Sequence, residues 1–332
     1  MNNEIKGIGI IGIGSALPSK VLTNQDLERM VDTSDEWIIK RTGISERRIL
    51  EEGIPASKLG IIAAENALKD AGIAAEDLDL VIVATETPDY LTPSTSCTIQ
   101  GGIGASKAAA FDINAACTGF IYAMTIAKQF IQNGVFRYIL VVGCEGLSRI
   151  VDWKDRNTCV LFGDGAGAAV IGPVEEGYGI MGSYLGADGA SGKKITLPCC
   201  SFSEEDIAAR PTGSRMSLWM DGTEVFKFAV KFMEHATRKV VDDCGLSLND
   251  INYIFPHQAN TRIIEGALKR LEMPEEKLYR IIQKYGNISS ASIPVAMDEA
   301  YRKGLFKKGD NIVAVGFGGG LTWGSTLVKW SK

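Results

Sequence analysis

The strongest constraint on the fold of this 332-residue chain is an internal repeat. One copy reads ALKDAGIAAEDLDLVIVATET (67–87) and the other reads VVDDCGLSLNDINYIFPHQAN (240–260). Each copy contains a helix end, a glycine, a short loop with an aspartate and an apolar strand. Stereotyped element lengths could produce such a match by chance, but equal offsets favour a duplicated half. Three pairs are each separated by 173 positions: Gly72 and Gly245, Asp77 and Asp250, and Gly143 and Gly316.

Both halves alternate amphipathic helices with short β-branched strands, which predicts an α/β fold with buried sheets. The polar, glycine-bearing segment PVEEGYG (173–179) is the best boundary. We therefore expect one half over residues 1–174 and the other over residues 175–332. Residues 188–220 are rich in Gly, Ser and Pro and lack apolar periodicity, which predicts an inserted, lid-like loop.

Composition excludes several classes of protein. The chain is 45% hydrophobic and 23% charged, which indicates a folded globular protein rather than a disordered or membrane-spanning one. A net charge of −5 argues against a nucleic-acid surface. The N-terminus reads as a first strand rather than a signal peptide, so we expect a cytoplasmic protein. The seven cysteines form no CxxC pair and no zinc-ligand spacing, which predicts free thiols and no metal site.

Two glycine-rich segments match nucleotide-binding motifs only in part. GIGIIG (7–12) fits G-x-G-x-x-G, but its glycines lie inside an apolar run, and Pro18 follows where a helix would form. FGDGAGA (162–168) lacks the Gly-Lys-Ser/Thr ending of a phosphate loop, and we expect closely packed turns there. His235 lies in an amphipathic helical segment and is expected to be a packed or surface histidine.

The cysteine of FDINAACTGF (111–120) lies where an apolar strand gives way to a helix. That helix is apolar on nearly every side and should be buried. Free N–H groups and the positive dipole end at a helix start lower the pKa of a thiol and favour the thiolate. A lone cysteine beside small residues is more often a small core side chain, so a catalytic role for Cys117 requires partners.

Two further reactive side chains follow predicted strands. His257 comes directly after INYIFP (251–256). Asn287 follows the apolar segment LYRII (278–282), which we predict to be a strand, and precedes a helix. Open α/β sheets bind ligands at the carboxyl ends of their strands, so these two groups and the cysteine can converge. A nucleophile, an imidazole and an amide donor suit acyl-transfer chemistry.

Several motifs, in this order, make the chain resemble a known family. The chain resembles, over essentially its whole length, the bacterial β-ketoacyl-acyl-carrier-protein synthase III family, initiating condensing enzymes of fatty-acid synthesis. The resemblance implies the thiolase fold, with two similar halves stacked in five layers, α-β-α-β-α, and a homodimer. The motifs that carry it are TSDEWIIKRTGI (33–44), NAACTGF (114–120), HQANTRII (257–264), GNISSASIP (286–294) and GFGGGLTWGS (316–325).

The resemblance also implies a reaction: self-acylation from a short acyl-CoA, then decarboxylative condensation with malonyl-acyl-carrier protein. Cys117 matches the acylated nucleophile. His257 and Asn287 match the pair that binds the thioester oxygen during decarboxylation. Gly319 matches the residue whose backbone N–H, together with that of Cys117, forms the oxyanion hole.

Two binding surfaces are implied in the same way. The coenzyme A contacts fall on Trp37, Arg41, Arg156 and Asn260, where an indole and a guanidinium can sandwich an adenine. The coenzyme A thioester is a substrate, and no cofactor is expected. Arg270 alone is expected to belong to an ordinary solvated charged face. The residues matched to an acidic carrier protein are Lys227, Gln258, Ala259, Asn260, Thr261, Arg262 and Lys269.

The segment TETPDYLTPSTSC (85–97) corresponds to the stretch from which, in this family, a residue of the partner subunit closes the acyl pocket. Thr92 takes the place where some members carry phenylalanine, and a register shift of one would put Leu91 there. A smaller side chain leaves room for extra methylenes, each worth about 0.8 kcal/mol when buried. We therefore expect acetyl-CoA and also four- or five-carbon, branched or unbranched, acyl-CoA primers to be accepted.

Three alternatives stay open at this point. A papain-like cysteine peptidase has the same chain order of Cys, His and Asn, but its cysteine signature resembles C-G-[SA]-C-[WY] and this chain has CTGF. A non-enzymatic scaffold of the same fold would have no reason to keep these groups together with the glycine run. An acyl-CoA-primed synthase of specialised metabolism is the most serious alternative.

Overall fold

The structure is a computed structural model that describes residues 7–199, 204–205 and 216–332, so part of the predicted lid-like loop lies outside the described residues. The described strands are β1 Gly7–Ala16, β2 Val21–Thr23, β3 Glu46–Arg48, β4 Leu80–Ala84, β5 Ala109–Ile113, β6 Ile139–Gly146, β7 Asp164–Val174, β8 Gly179–Ala187, β9 Ile195–Thr196, β10 Trp219–Met220, β11 Tyr253–Pro256, β12 Asn311–Gly318 and β13 Thr322–Lys329. The described helices are α1 Asn24–Glu28, α2 Asp35–Thr42, α3 Ala56–Ala71, α4 Thr95–Gly102, α5 Gly119–Gln132, α6 Gly222–Asp243, α7 Thr261–Leu271, α8 Ile282–Tyr285 and α9 Ser292–Arg302.

Nine of these strands form one sheet in the order β11-β12-β13-β8-β1-β7-β6-β4-β5. In the first half of the chain, β4 lies parallel to β6, and β6, β7 and β1 pair antiparallel. In the second half, β11 lies parallel to β12, and β12, β13 and β8 pair antiparallel. One parallel pairing, between Ile8 and Gly179, joins the halves. The predicted duplication is thereby confirmed, whereas the domain boundary between residues 174 and 175 stays a prediction.

The helices complete the five layers that the α-β-α-β-α expectation requires. Helix α3 packs on β1, β6 and β7 at one outer face, and α6 packs on β8, β12 and β13 at the other, with α7 beside it. Helix α5 lies between the two half-sheets and contacts strands of both. Its side chains Phe120, Ile121 and Met124 are fully buried, as its apolar sequence predicted. This central helix begins two residues after Cys117, which brings the candidate nucleophile to the interior of the molecule.

The prediction of a strand over residues 278–282 is wrong. Leu278 makes only a single β-bridge, and α8 begins at Ile282. A side chain takes the place of a neighbouring strand here, because Oε1 of Gln258 accepts the backbone N–H groups of Ile281 and Ile282 at 3.0 and 3.2 Å. The apolar residues were therefore a signal of burial rather than of sheet pairing.

The glycine-rich segments are strands. GIGIIG lies within β1, as predicted, and a Cβ on Gly12 would come 2.3 Å from the carbonyl oxygen of Ala67 in α3. FGDGAGA is mostly strand β7 rather than the expected turns. A Cβ on Gly167 would come 2.8 Å from the Pro294 side chain of α9. Both runs of glycine thus allow helices to pack closely on the sheets.

Two further features bear on function. No helix within the described ranges is long and apolar enough to span a membrane. The same residues contain no group of three or more His, Cys, Asp and Glu side chains that could hold a metal ion. His235 is exposed on α6, where Nε2 lies 3.1 Å from the Tyr184 hydroxyl, which confirms it as a surface histidine.

Candidate active site

Cys117 lies in a short 3₁₀ turn between β5 and α5. The preceding residue, Ala116, has a φ of +46°, which is rare for a residue other than glycine. The Thr118 hydroxyl donates to the carbonyl oxygen of Ala115 at 2.7 Å and lies 2.9 Å from the hydroxyl of Thr322 in β13. These bonds fix the turn, so the cysteine is held at the amino end of the central helix.

The end of β12 approaches this turn closely. A Cβ on Gly318 would lie 2.8 Å from the backbone nitrogen of Cys117, and one on Gly316 would lie 3.6 Å from Cβ of His257. Gly319 has more room, since its Cβ would lie 3.5 Å from Cβ of Ala116. Glycine at position 318 is therefore required for the backbones to meet, which explains why the sequence has a glycine run here.

His257 extends the end of β11. Its backbone N–H donates to the carbonyl oxygen of Val315 in β12 at 2.7 Å, and its ring packs edge-on against Phe317 with centroids 5.4 Å apart. The side chain is buried, and neither ring nitrogen has a hydrogen-bond partner among the described residues. Burial lowers the pKa of His257 to about 3, so the imidazole is neutral at physiological pH and offers one N–H donor.

Asn287 is fixed by backbone bonds on both sides. Its N–H donates to the carbonyl oxygen of Leu161 at 2.8 Å, and its own carbonyl accepts the N–H of Gly163 at 3.0 Å. The side-chain oxygen accepts the backbone N–H of Ser289 at 2.9 Å. Because the oxygen end of the amide is committed to the protein, the Nδ2 end is the donor that Asn287 offers to a ligand.

The prediction that the helix start lowers the thiol pKa is wrong in direction. Burial raises the pKa of the Cys117 thiol well above its usual value, and the charge of Glu86 acts in the same direction. Hydrogen bonding with the Ser289 side chain, whose Oγ lies 3.3 Å from Sγ, opposes this rise only in part. The favourable effect of the helix dipole is thus outweighed by desolvation and a neighbouring carboxylate.

One cavity of about 930 Å³ brings most of the predicted site together. Cys117, His257 and Asn287 line it, as do residues predicted for both binding surfaces. Sequence reasoning missed its apolar wall, to which Ile195 contributes from β9 and Phe226 from α6. The predicted binding residues on its wall are Trp37, Arg41, Arg156, Lys227, Ala259, Asn260 and Arg262.

The predicted coenzyme A residues cluster around one indole. The guanidinium carbons of Arg41 and Arg156 lie 5.8 and 5.3 Å from the ring centroid of Trp37. Arg156 also donates to the carbonyl oxygen of Asp32 at 2.9 Å. Asn260 caps α7 by accepting the N–H of Arg262, and its Nδ2 donates to the carbonyl oxygen of Arg41 at 3.0 Å. An aromatic surface with two cations at a cavity mouth suits a nucleotide with phosphate groups.

The predicted carrier-protein residues divide into two groups. Arg262 is exposed, with its guanidinium 5.8 Å from the Phe226 ring, and Lys227 pairs with Glu224 at 2.8 Å. Lys269 is exposed in the last turn of α7 and does not line the cavity.

Gln258 and Thr261 differ from these surface residues. Gln258 is fully buried, and besides the two N–H groups it accepts, its Nε2 donates to the carbonyl oxygen of Pro256 at 2.8 Å. Its side chain therefore has no surface to present to a carrier protein. The Thr261 hydroxyl packs against Gly43, and a Cβ on Gly43 would collide with it.

Thr92 does not line the cavity of its own chain. It is exposed, and its hydroxyl donates to the carbonyl oxygen of Leu91 at 2.9 Å. The adjacent Tyr90 and Leu91 are 64% and 70% exposed, which is unusual for large apolar side chains next to one another. The role of this segment in closing an acyl pocket stays a prediction.

A duplicated α/β fold that presents a cysteine and a neutral histidine to one deep cavity is the architecture of the thiolase-type condensing enzymes. The crystal structure of 3-oxoacyl-[acyl-carrier-protein] synthase III from Aquifex aeolicus matches with a TM-score of 0.91 at 45% identity, covering 98% of this chain and 100% of that one. The priming β-ketosynthase of the R1128 polyketide pathway matches with a TM-score of 0.91 at 36% identity, covering 98% and 96%.

A relative compared by sequence shares more identical residues with this chain than either of these two structures does. The β-ketoacyl-[acyl-carrier-protein] synthase III of Caldanaerobacter subterraneus subsp. tengcongensis is 57% identical over 98% of both chains. Two family models, for 3-oxoacyl-[acyl-carrier-protein (ACP)] synthase III and its C-terminal part, match residues 111–189 and 241–330. The chain belongs to the β-ketoacyl-[acyl-carrier-protein] synthase III family, the condensing acyltransferases that initiate fatty-acid synthesis.

Proposed function

We propose that this chain loads a short acyl group from acyl-CoA onto Cys117 and condenses it with malonyl-acyl-carrier protein. The product is a β-ketoacyl-acyl-carrier protein, and carbon dioxide and free coenzyme A are released. One observation carries the proposal: Cys117, His257 and Asn287 line the same cavity, whose mouth holds Trp37 and Arg156.

In the first half-reaction, Sγ of Cys117 attacks the thioester carbonyl. The new sulfur–carbon bond replaces the bond to the sulfur of coenzyme A, which leaves. The developing oxyanion needs donors, and the backbone N–H groups of Cys117 and Gly319 are proposed for that role. The close approach of β12 to the cysteine turn, which glycine at position 318 permits, supports this assignment.

In the second half-reaction, the malonyl thioester loses carbon dioxide and becomes a carbanion. Its negative charge is shared with the thioester oxygen, to which neutral His257 and the Nδ2 group of Asn287 donate hydrogen bonds. Two features support this role: among the described residues the ring nitrogens of His257 have no hydrogen-bond partner, and the amide of Asn287 is fixed in orientation. The carbanion then attacks the acyl carbonyl, a carbon–carbon bond forms, and the Cys117 sulfur leaves.

The experiment that tests the proposal measures both half-reactions on the purified chain. Intact mass spectrometry after mixing with acetyl-CoA should show one acetyl group, and peptide mapping should locate it on Cys117. Malonyl-acyl-carrier protein should then give a β-ketoacyl product. Prior treatment with iodoacetamide should label Cys117 and block acetylation. A chain that hydrolyses peptides, or that accepts no acyl group, would contradict the proposal.

Arg262→Glu should weaken the use of malonyl-acyl-carrier protein while leaving self-acylation from acetyl-CoA nearly unchanged. The acidic carrier meets this exposed cation at the cavity mouth, so reversing its charge slows association, and added salt should have the same effect. Both rates are measured against carrier concentration at several ionic strengths. Lys107→Glu is the matched control, because Lys107 is exposed just before the start of β5, whereas Cys117 follows the end of that strand, and Lys107 does not line the cavity. An equal loss in both half-reactions of Arg262→Glu would contradict this role.

A homodimer in which the segment around Thr92 closes the partner's acyl pocket is part of the proposal. The neighbouring exposed side chains Tyr90 and Leu91 support a covered surface there. Thr92→Phe should then lower specificity for four- and five-carbon primers and spare acetyl-CoA, because each lost buried methylene contact is worth about 0.8 kcal/mol. The check is a primer-length series of kcat/KM values, with Thr92→Ser as the small-residue control. A wild-type profile restricted to acetyl-CoA would place the closure on another residue.

A further inference from the structure

Ser289 connects the thiol of Cys117 to a carboxyl group that the mechanism above does not use. Its Oγ lies 3.3 Å from Sγ of Cys117 and donates a hydrogen bond to Oε1 of Glu86. The side chain is 1% exposed, and the backbone has a φ of +44° with its N–H bound by Asn287. Ser289 is therefore held in one position between the nucleophile and the carboxyl group.

The number of protons on the Ser289 hydroxyl sets the direction of the hydrogen bonds that link Cys117, Ser289 and Glu86. A hydroxyl has one proton, and when that proton points at Glu86, the oxygen of Ser289 faces the thiol as an acceptor. The ring of His257 forms no hydrogen bond within the described part of the chain, to the thiol or to any other group. The hydrogen-bonded route from the thiol thus leads to Glu86 and not to the histidine.

A route for the proton is needed because the thiolate is the attacking species. Burial and the charge of Glu86 raise the pKa of Cys117, so little thiolate is present at neutral pH. Burial also raises the pKa of Glu86, against the opposing hydrogen bond from Ser289. A carboxylate with a raised pKa is a stronger base. The difference between its pKa and that of the thiol is then smaller, which makes the proton transfer less costly.

We propose that Ser289 and Glu86 take the thiol proton of Cys117 during acyl transfer, an inference that rests on the proposed function. The proton on Sγ passes to Oγ of Ser289 as the Ser289 proton passes to Glu86. The sulfur–acyl bond forms, the bond between the acyl carbon and the sulfur of coenzyme A breaks, and the departing thiolate recovers a proton by the reverse route. Ser289 contacts the reacting sulfur, and Glu86 acts through it.

Glu145 provides a matched control beside this route. It is fully buried and accepts hydrogen bonds from the hydroxyls of Thr87 and Ser290 at 2.6 and 2.7 Å. Burial, followed by the charge of Glu86, raises the pKa of Glu145 to about 8, so this group is mostly neutral at pH 7. Glu145→Gln therefore keeps the shape of this group and, below about pH 8, its charge state.

The test is single-turnover acetylation of Cys117 by acetyl-CoA, measured at steps of about one pH unit between pH 5 and pH 9. Raised pKa values of carboxyl groups fall in this range. Malonyl-acyl-carrier protein decarboxylation is measured in parallel. Glu86→Gln and Ser289→Ala should acetylate at least about 100-fold more slowly and keep wild-type decarboxylation. The titratable groups facing the route are Glu86, Cys117, Glu145 and His257, of which the histidine stays neutral throughout this range.

The pH profile separates a proton acceptor from a structural role. Only the ionised form of Glu86 accepts a proton, so wild-type acetylation should rise with pH through the raised pKa of this group. Glu86→Gln should lose that rise, and Glu145→Gln should keep it. Acetylation of Glu86→Gln at the wild-type rate, or an equal loss of both half-reactions, would overturn the inference. A wild-type chain that accepts no acyl group on Cys117 would overturn the proposed function and this inference with it.

Discussion

Cys117→Ser is expected to abolish acyl transfer from acetyl-CoA while decarboxylation of malonyl-acyl-carrier protein continues. A serine hydroxyl is a far weaker nucleophile in this buried setting, and loss of the covalent route should cost on the order of 10⁴-fold or more. Decarboxylation needs only the donors to the thioester oxygen, which His257 and Asn287 retain. Intact mass spectrometry and release of carbon dioxide measure the two reactions separately.

Cys244→Ser is the control for this substitution. Cys244 follows the end of α6 and does not line the cavity, so its replacement should change neither reaction. If Cys117→Ser still acquired an acyl group at the wild-type rate, the nucleophile would be another residue. Loss of decarboxylation together with acyl transfer would show that the serine variant disturbs the whole cavity.

His257→Ala should lower decarboxylation and condensation by about 100- to 1000-fold, the usual cost of removing one oxyanion donor. Self-acylation from acetyl-CoA should be much less affected, because its proposed oxyanion donors are backbone N–H groups of Cys117 and Gly319. The chain has two histidines, so His235→Ala on the surface of α6 is the matched control. Condensation by His257→Ala at the wild-type rate would contradict the assignment.

The pH dependence of decarboxylation gives a second check on His257. Its pKa is lowered to about 3 by burial, so the charged imidazolium forms only as the pH falls toward that value. Decarboxylation by the Cys117→Ser variant, which removes the thiol from the titration, should therefore stay constant from pH 8 down to pH 5, where an ordinary histidine with a pKa of about 6.5 would titrate. A fall in rate centred near that ordinary value would show that His257 is solvated in the working enzyme.

The parts of the site that sequence could predict are those tied to strand ends. The repeat placed the end of β4 and the end of β11 at equivalent positions, and the position after β11 held His257. Such features are local to one element and its known neighbour, which is why pattern and spacing suffice.

The remaining features depend on contacts between distant segments. Residues 278–282 look like a strand, yet Gln258 binds their backbone and ends the sheet. The raised pKa of Cys117 arises from burial and from Glu86, and nothing in the residues beside the cysteine indicates either. Glu86 did follow a strand end, which was the same signal that identified His257, but a carboxylate in a polar segment is an ordinary solvated group until its burial is known.

The close approach of β12 to the cysteine turn makes the spacing of the two halves part of the chemistry. Cys117 belongs to the first half of the chain, whereas Gly318 and His257 belong to strands of the second. A methyl group at position 318 would fall 2.8 Å from the backbone nitrogen of Cys117, so the halves could not keep their present separation. Each half therefore fixes the position of the reactive groups that the other half contributes. Duplication has divided one catalytic centre between two copies of a fold.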